Sequence, residues 1–241
     1  MVRGKEENEQ PKAPGQLEEI GKRYEQQPFI RGLVQLIPWG IGSAMDTAIV
    51  TVLNNVREDR AHAFFDELAK GRIALTQEQI NKEDFLHAYF ATARAALNTR
   101  RREKIRLFGR LFTHHCQGAG FTNTDTYEET LAVLDDLTLR ELQVLLLLRD
   151  FESNNSILPG QNALQRATQF WASFLQRVEV DIGIPKAEIP GYLERLNRTG
   201  LYQTYVGGAW DYTGDKGYTT PNFEGFLEFL GIQGFEDLSK I

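Results

Sequence analysis

One cysteine in 241 residues, Cys116, leaves no internal disulfide to form, so no oxidising compartment is implied. CxxC, HExxH, GxSxG and GK[ST] spacings are all absent, which removes the short signatures of common zinc sites, α/β-hydrolase elbows and P-loops. Gly40-Ile41-Gly42 has no preceding strand pattern, so it does not read as a dinucleotide fingerprint. The acid pairs Glu128-Glu129 and Asp135-Asp136 are neighbours only in sequence. An enzyme without a short motif stays open, and a protein without chemistry of its own is the favoured expectation. A basic excess is missing too. Twenty-seven Lys and Arg stand against 33 Asp and Glu, net -6, which argues against indiscriminate nucleic-acid binding.

What remains is the composition of a folded chain: 41% hydrophobic and 25% charged, with 21 Gly and 8 Pro. The first 28 residues carry 11 charges and no apolar core segment, so they read as largely disordered and not as a secretory signal. A reduced, cytoplasmic setting is the expectation.

Gly32 to Leu53 runs without Lys or Arg, a length that would admit a membrane span. Asp46, Gln35 and the Pro38-Trp39-Gly40 interruption oppose that, because a charge in hydrocarbon costs about 3 kcal/mol even on insertion scales. The alternative divides the stretch: Phe29 to Ile37 ends at Pro38, and a helix capped by Ser43 continues to Lys70, where Gly71 stops it. Met45, Ile49, Val52, Val56, Ala63 and Phe64 fall at helical spacing. A second helix is expected from Lys82 to Cys116, capped by Asn81 and ended by Gly118 and Gly120, with Leu86, Phe90, Ala93, Leu97, Leu107 and Leu111 as its stripe. Together these two would form a long antiparallel hairpin, residues 29–126, whose apolar stripes suit self-association.

From residue 127 the rhythm changes. Leu131 to Leu134 is a short apolar segment, and Thr138-x-x-Glu141 has capping-box spacing ahead of the apolar run Leu139 to Phe151. Another helix is expected from Gln161 to Val178, and a short one from Gly191 to Asn197 behind Pro190. Leu201 to Val206 and Tyr218 to Thr220 read as strands of a hairpin, and Phe223, Phe226, Leu227 and Leu230 as a last amphipathic helix. Helix, helix, short helix, hairpin, helix is the order of a winged helix-turn-helix module. The expected fold is therefore mostly α: an N-terminal long-helix hairpin, then a winged-helix-like domain, residues 127–241, with a two-stranded wing.

The run Tyr192-Leu193-Glu194-Arg195-Leu196-Asn197-Arg198-Thr199-Gly200-Leu201, with Tyr218-Thr219-Thr220-Pro221, resembles the helix end and second wing strand of many winged-helix proteins. An N-terminal helical region followed by such a module is similar in organisation to the Abi-alpha abortive-infection proteins of bacteria. Ile37-Pro38 with Gly40-Ile41-Gly42-Ser43 also resembles the start of bacterial proteins of this organisation. The resemblance implies a role in phage defence and transfers no catalytic residue.

Two groups of side chains are candidates for binding. Arg94, Arg100, Arg101, Arg102, Lys104, Arg106 and Arg110 face only Glu103 in their stretch. Arg102, Arg106 and Arg110 recur every fourth residue, so one helix face would offer guanidinium forks suited to phosphate. The competing reading is a solvated face, or pairing with Glu58, Asp59, Asp66 and Glu67 on the neighbouring helix. In the winged-helix-like part, Arg195, Asn197, Arg198 and Lys216 would make the contacts, joined by the loop aromatics Trp210 and Tyr212. Residues 131–241 hold nine Lys and Arg against 15 Asp and Glu, so the whole acidic excess lies there. Protein contact is thus favoured over DNA reading for that module, and a partner or self-association is expected. The alternatives are a DNA-binding regulator and a membrane-active effector using residues 32–53.

His114-His115-Cys116 does not make a metal site, because neighbours on a helix point about 100° apart and only His62 and His87 remain to help. Helix-end histidines facing the C-terminal dipole are the simpler reading, and no metal or cofactor is expected.

Overall fold

The computed structural model describes residues 22–36, 47–71, 77–80, 82–117, 124–206 and 214–240. The expected Ser43 and Asn81 caps, the Gly118 and Gly120 stops, Trp210 and Tyr212 lie outside them. So do most of the first 28 residues and the centre of the apolar stretch, residues 37–46. Among the described residues no helix is long and apolar enough to cross a membrane.

The chain is mostly helical, with a small two-stranded antiparallel sheet near the C-terminus. α1 (Pro28–Leu36) leads to α2 (Thr47–Lys70), which ends against Gly71 as expected. Ala61, Ala63, Phe64, Phe65 and Leu68 bury the inner face of α2, so Ala63 and Phe64 of the expected stripe are inside, whereas Val56 is exposed.

A short α3 (Gln77–Ile80) comes first, and the single helix expected over residues 82–116 is instead two, α4 (Glu83–Asn98) and α5 (Arg102–Gln117), separated by a break. Thr99 adopts φ -82°, ψ 137°, an extended conformation that ends α4. Asn98 and Thr99 at the break are poor helix formers. Arg60 donates to the Leu97 carbonyl at 2.6 Å, satisfying one of the acceptors that ending the helix leaves open. α5 therefore folds back on α4 and packs along α2. In α4, Ala93 of the expected stripe is buried, together with Phe85, Ala88 and Tyr89, whereas Phe90 is exposed.

α6 (Thr124–Asp136) packs against α4 and α5, with Tyr127 stacked on His115 at 4.1 Å. α7 (Leu139–Asn154) opens on the expected box: Thr138 Oγ1 accepts from Glu141 N, and the Glu141 carboxylate accepts from Thr138 N. Leu142 and the unbroken run Val144 to Leu148 are buried, so α7 is enclosed by its neighbours. α8 (Ala163–Arg177) has a second box, Asn162 with Gln165, and continues through a π turn, Val178–Ile182, to Gly183 at φ 73°. α9 (Ile189–Arg198) carries Pro190 in its first turn. β1 (Tyr202–Thr204) and β2 (Gly217–Thr219) pair in the register Tyr202↔Thr219, Gln203↔Tyr218, Thr204↔Gly217. Gly217 is needed there, because a side chain would overlap the Tyr202 ring.

α10 (Pro221–Leu230) and α11 (Phe235–Lys240), the latter not expected, complete the chain. α10 lies on α5, with Phe229 edge-on to His114 at 5.3 Å, and Arg149 of α7 forks onto Glu224 with two 2.7 Å bonds. N- and C-terminal helices thus share one apolar core.

Candidate functional site

The basic row is divided by the fold. Arg94 stands exposed on α4, Arg100 and Arg101 occupy the extended corner, and Arg102, Lys104, Arg106 and Arg110 begin α5. Two members of the spaced triplet turn to α2. Arg102 forks onto Asp59, with Nε 3.2 Å from Oδ2, and Arg110 Nε donates to Glu67 Oε1 at 2.9 Å. Both acids are among those weighed as partners from the sequence. Burial pushes the Glu67 carboxyl up, but hydrogen bonds from Lys70 and Arg110 outweigh it and hold the group below the usual range. Lys104 is half-buried, its Nζ donating to the Asp135 carbonyl at 2.7 Å and 5.8 Å from the Phe108 ring centre. Burial lowers its pKa, with Asp135, Asp136 and Glu141 opposing.

Among the described residues no acid pairs with Arg94, Arg100, Arg101 or Arg106. Arg100 and Arg101, with Thr99, Glu103 and Lys104, form one side of a groove of about 640 Å³. The other side is the start of α7, Thr138, Leu139, Arg140 and Gln143, together with Ile182. Arg140 is a site residue that sequence reading missed. It is an isolated cation in an acidic block, and only the packing of α7 beside the corner gives it company.

A second groove, about 590 Å³, lies on the far side of Thr138. Ala132, Val133, Asp136 and Leu137 at the end of α6 face Arg195, Arg198 and Thr199 of α9 and its exit, with Thr138 and Glu141 between. Glu141 is buried and fully occupied. One oxygen accepts from Thr138 N at 2.8 Å and Thr138 Oγ1 at 2.7 Å, and the other accepts from Arg195 Nε at 2.8 Å. Arg195 also lies over the Tyr192 ring, 4.6 Å from its centre. Arg198 and Asn197 are exposed, and Lys216 of the hairpin holds Asp215 at 2.9 Å.

His115 is buried against Tyr127, and burial first, then neighbouring His114, lowers its pKa to about 4. Burial pushes the Cys116 thiol up. Among the described residues no three His, Cys, Asp or Glu gather as a metal site would require. Compared with protein-family models, with curated proteins and with solved structures, the chain finds no match.

Proposed function

We propose that this chain is a non-enzymatic interaction protein whose C-terminal module, α7 to α10 with the β1–β2 hairpin, is a winged helix used for protein contact. The order of elements supports the module: α9 stands directly before the hairpin, where a recognition helix belongs. One observation carries the choice of partner. Arg195, one of the two arginines of α9 that a DNA-reading helix would use, is held by buried Glu141 at 2.8 Å. Swinging the side chain away to read a base edge would cost one oxygen of the buried Glu141 carboxylate this bond. Lys216 rests on Asp215, and Asp136 lines the same groove as Arg198, so the face of α9 carries charges of both signs. Mixed charge beside apolar side chains suits a protein surface better than a phosphate backbone.

The resemblance to abortive-infection proteins suggests a bacterial regulatory or defence-associated setting, in which the helical region assembles copies or holds a partner. Light scattering on protein purified at low salt tests this. A multimer, or a stoichiometric protein partner that is lost in Arg198→Glu, is the expected result. A strict monomer that retains nothing and shifts mixed-sequence duplex DNA through Arg198 would instead establish the DNA-binding reading.

A further inference from the structure

We propose that the groove between the α4–α5 corner and the start of α7 binds a compact ligand carrying two or more phosphate groups, of the size of a nucleoside polyphosphate. This groove shares only Thr138 with the one beside α9, and the inference does not rest on the protein-contact reading.

The fold concentrates positive charge here. Arg100, Arg101 and Lys104 from the corner meet Arg140 from α7, with Glu103 as the one acid in the lining. Among the described residues no acid pairs with Arg100, Arg101 or Arg140, and Lys104 spends a single donor on a neutral carbonyl. Asp135, Asp136 and Glu141 act on Lys104, so Arg100, Arg101 and Arg140 are the charges left for a polyanion to neutralise. Guanidinium forks arriving from two walls suit phosphates linked in a row better than a lone monophosphate.

Size and surroundings select a small ligand over an extended one. About 640 Å³ lies within the range of roughly 300–1,000 Å³ typical of small-molecule sites. Leu139 and Ile182 supply an apolar wall for a planar base, and the Gln143 amide stands beside them. Half of the lining residues belong to the stretch 131–241, which holds 15 acids against nine cations and offers a longer nucleic acid a poor track.

Calorimetric titration of the full chain with ATP, inorganic triphosphate, AMP and a short single-stranded oligonucleotide tests the assignment. ATP and triphosphate should bind in a salt-dependent way, each at least about tenfold more tightly than AMP. Arg140→Ala and Arg101→Ala should each weaken both by about tenfold or more, while Arg198→Ala leaves them unchanged. Because Arg140 and Arg101 are exposed, their thermal unfolding should match wild type, which separates lost binding from lost folding. No binding at low salt would overturn the proposal. So would binding indifferent to Arg140, AMP as tight as ATP, or an oligonucleotide preferred over ATP through the same arginines.

Discussion

Arg110 of α5 and Glu67 of α2 join two helices through a 2.9 Å bond, and the residue beside Arg110 makes the approach possible. A Cβ on Gly109 would stand 3.0 Å from the Glu67 Cβ and 3.3 Å from the Phe64 carbonyl. The glycine lets the helices close, and closing buries the carboxylate, only 6% exposed, against the guanidinium.

Arg110→Ala should destabilise the chain by about 1.5–3 kcal/mol in urea unfolding at neutral pH, the range for a hydrogen bond to a charged group. Lys70, 2.7 Å from the other Glu67 oxygen, keeps the loss from being larger. Glu67 has a folded pKa below its ordinary 4.5, so its contribution is present above that pH and lost as pH falls through the folded value. The gap between variant and wild type should therefore narrow in acid. A gap that does not change with pH would show that the pair is not the cause.

Gly109→Ala should cost about 1–3 kcal/mol by overpacking, although alanine is the better helix former. Gly225, in the interior of α10 with nothing within 4 Å of its would-be Cβ, is the matched control. Gly225→Ala should stabilise by about 0.4–1 kcal/mol. Equal effects at both positions, read from thermal midpoints, would refute the close approach.

His115 gives the fold a second acid dependence. Its folded pKa, about 4, lies below the ordinary 6.5, so the unfolded chain takes up the proton first. Its contribution is full above pH 6.5 and falls away between pH 6.5 and about 4, by about 3 kcal/mol in all. Unfolding free energies over that interval should show this slope, and His115→Gln should flatten it. An unchanged slope in the variant would place the titration elsewhere.

Thr138 caps α7 and lines both grooves. Thr138→Ala should cost about 1 kcal/mol. Combined with Arg195→Ala, the two losses should not add, because both act on the one Glu141 carboxylate. Additivity in a double-mutant cycle would contradict the shared role.

The parts legible in the sequence were those set by local spacing. The Thr138–Glu141 box, Pro190 in the first turn of α9, the stop at Gly71 and the two short strands each depend on residues a few positions apart. The Asn162–Gln165 box carries the same kind of signal and was there to be found. The break at Thr99 was not legible, because an apolar stripe continues in phase across it and the capping contact comes from Arg60 on another helix. Phase within a helix was similarly hidden: Phe90 and Tyr89 are equally apolar, and only the packing of α4 decides that Tyr89 goes inside. For the basic row, sequence supplied the charges and the acids that could claim them. Which arginines are claimed, and that Arg140 joins those left over, follows from how α2 and α7 pack around the corner.

Protein contact through the α9 face is tested most directly by a photo-crosslinking amino acid placed at Arg198 and irradiated in living cells of the source organism. A discrete protein adduct, to a second copy of the chain or to another protein, is the expected product, and it should vanish when Ala132 across the groove is replaced by Glu. A nucleic-acid adduct, or no adduct at all, would contradict it.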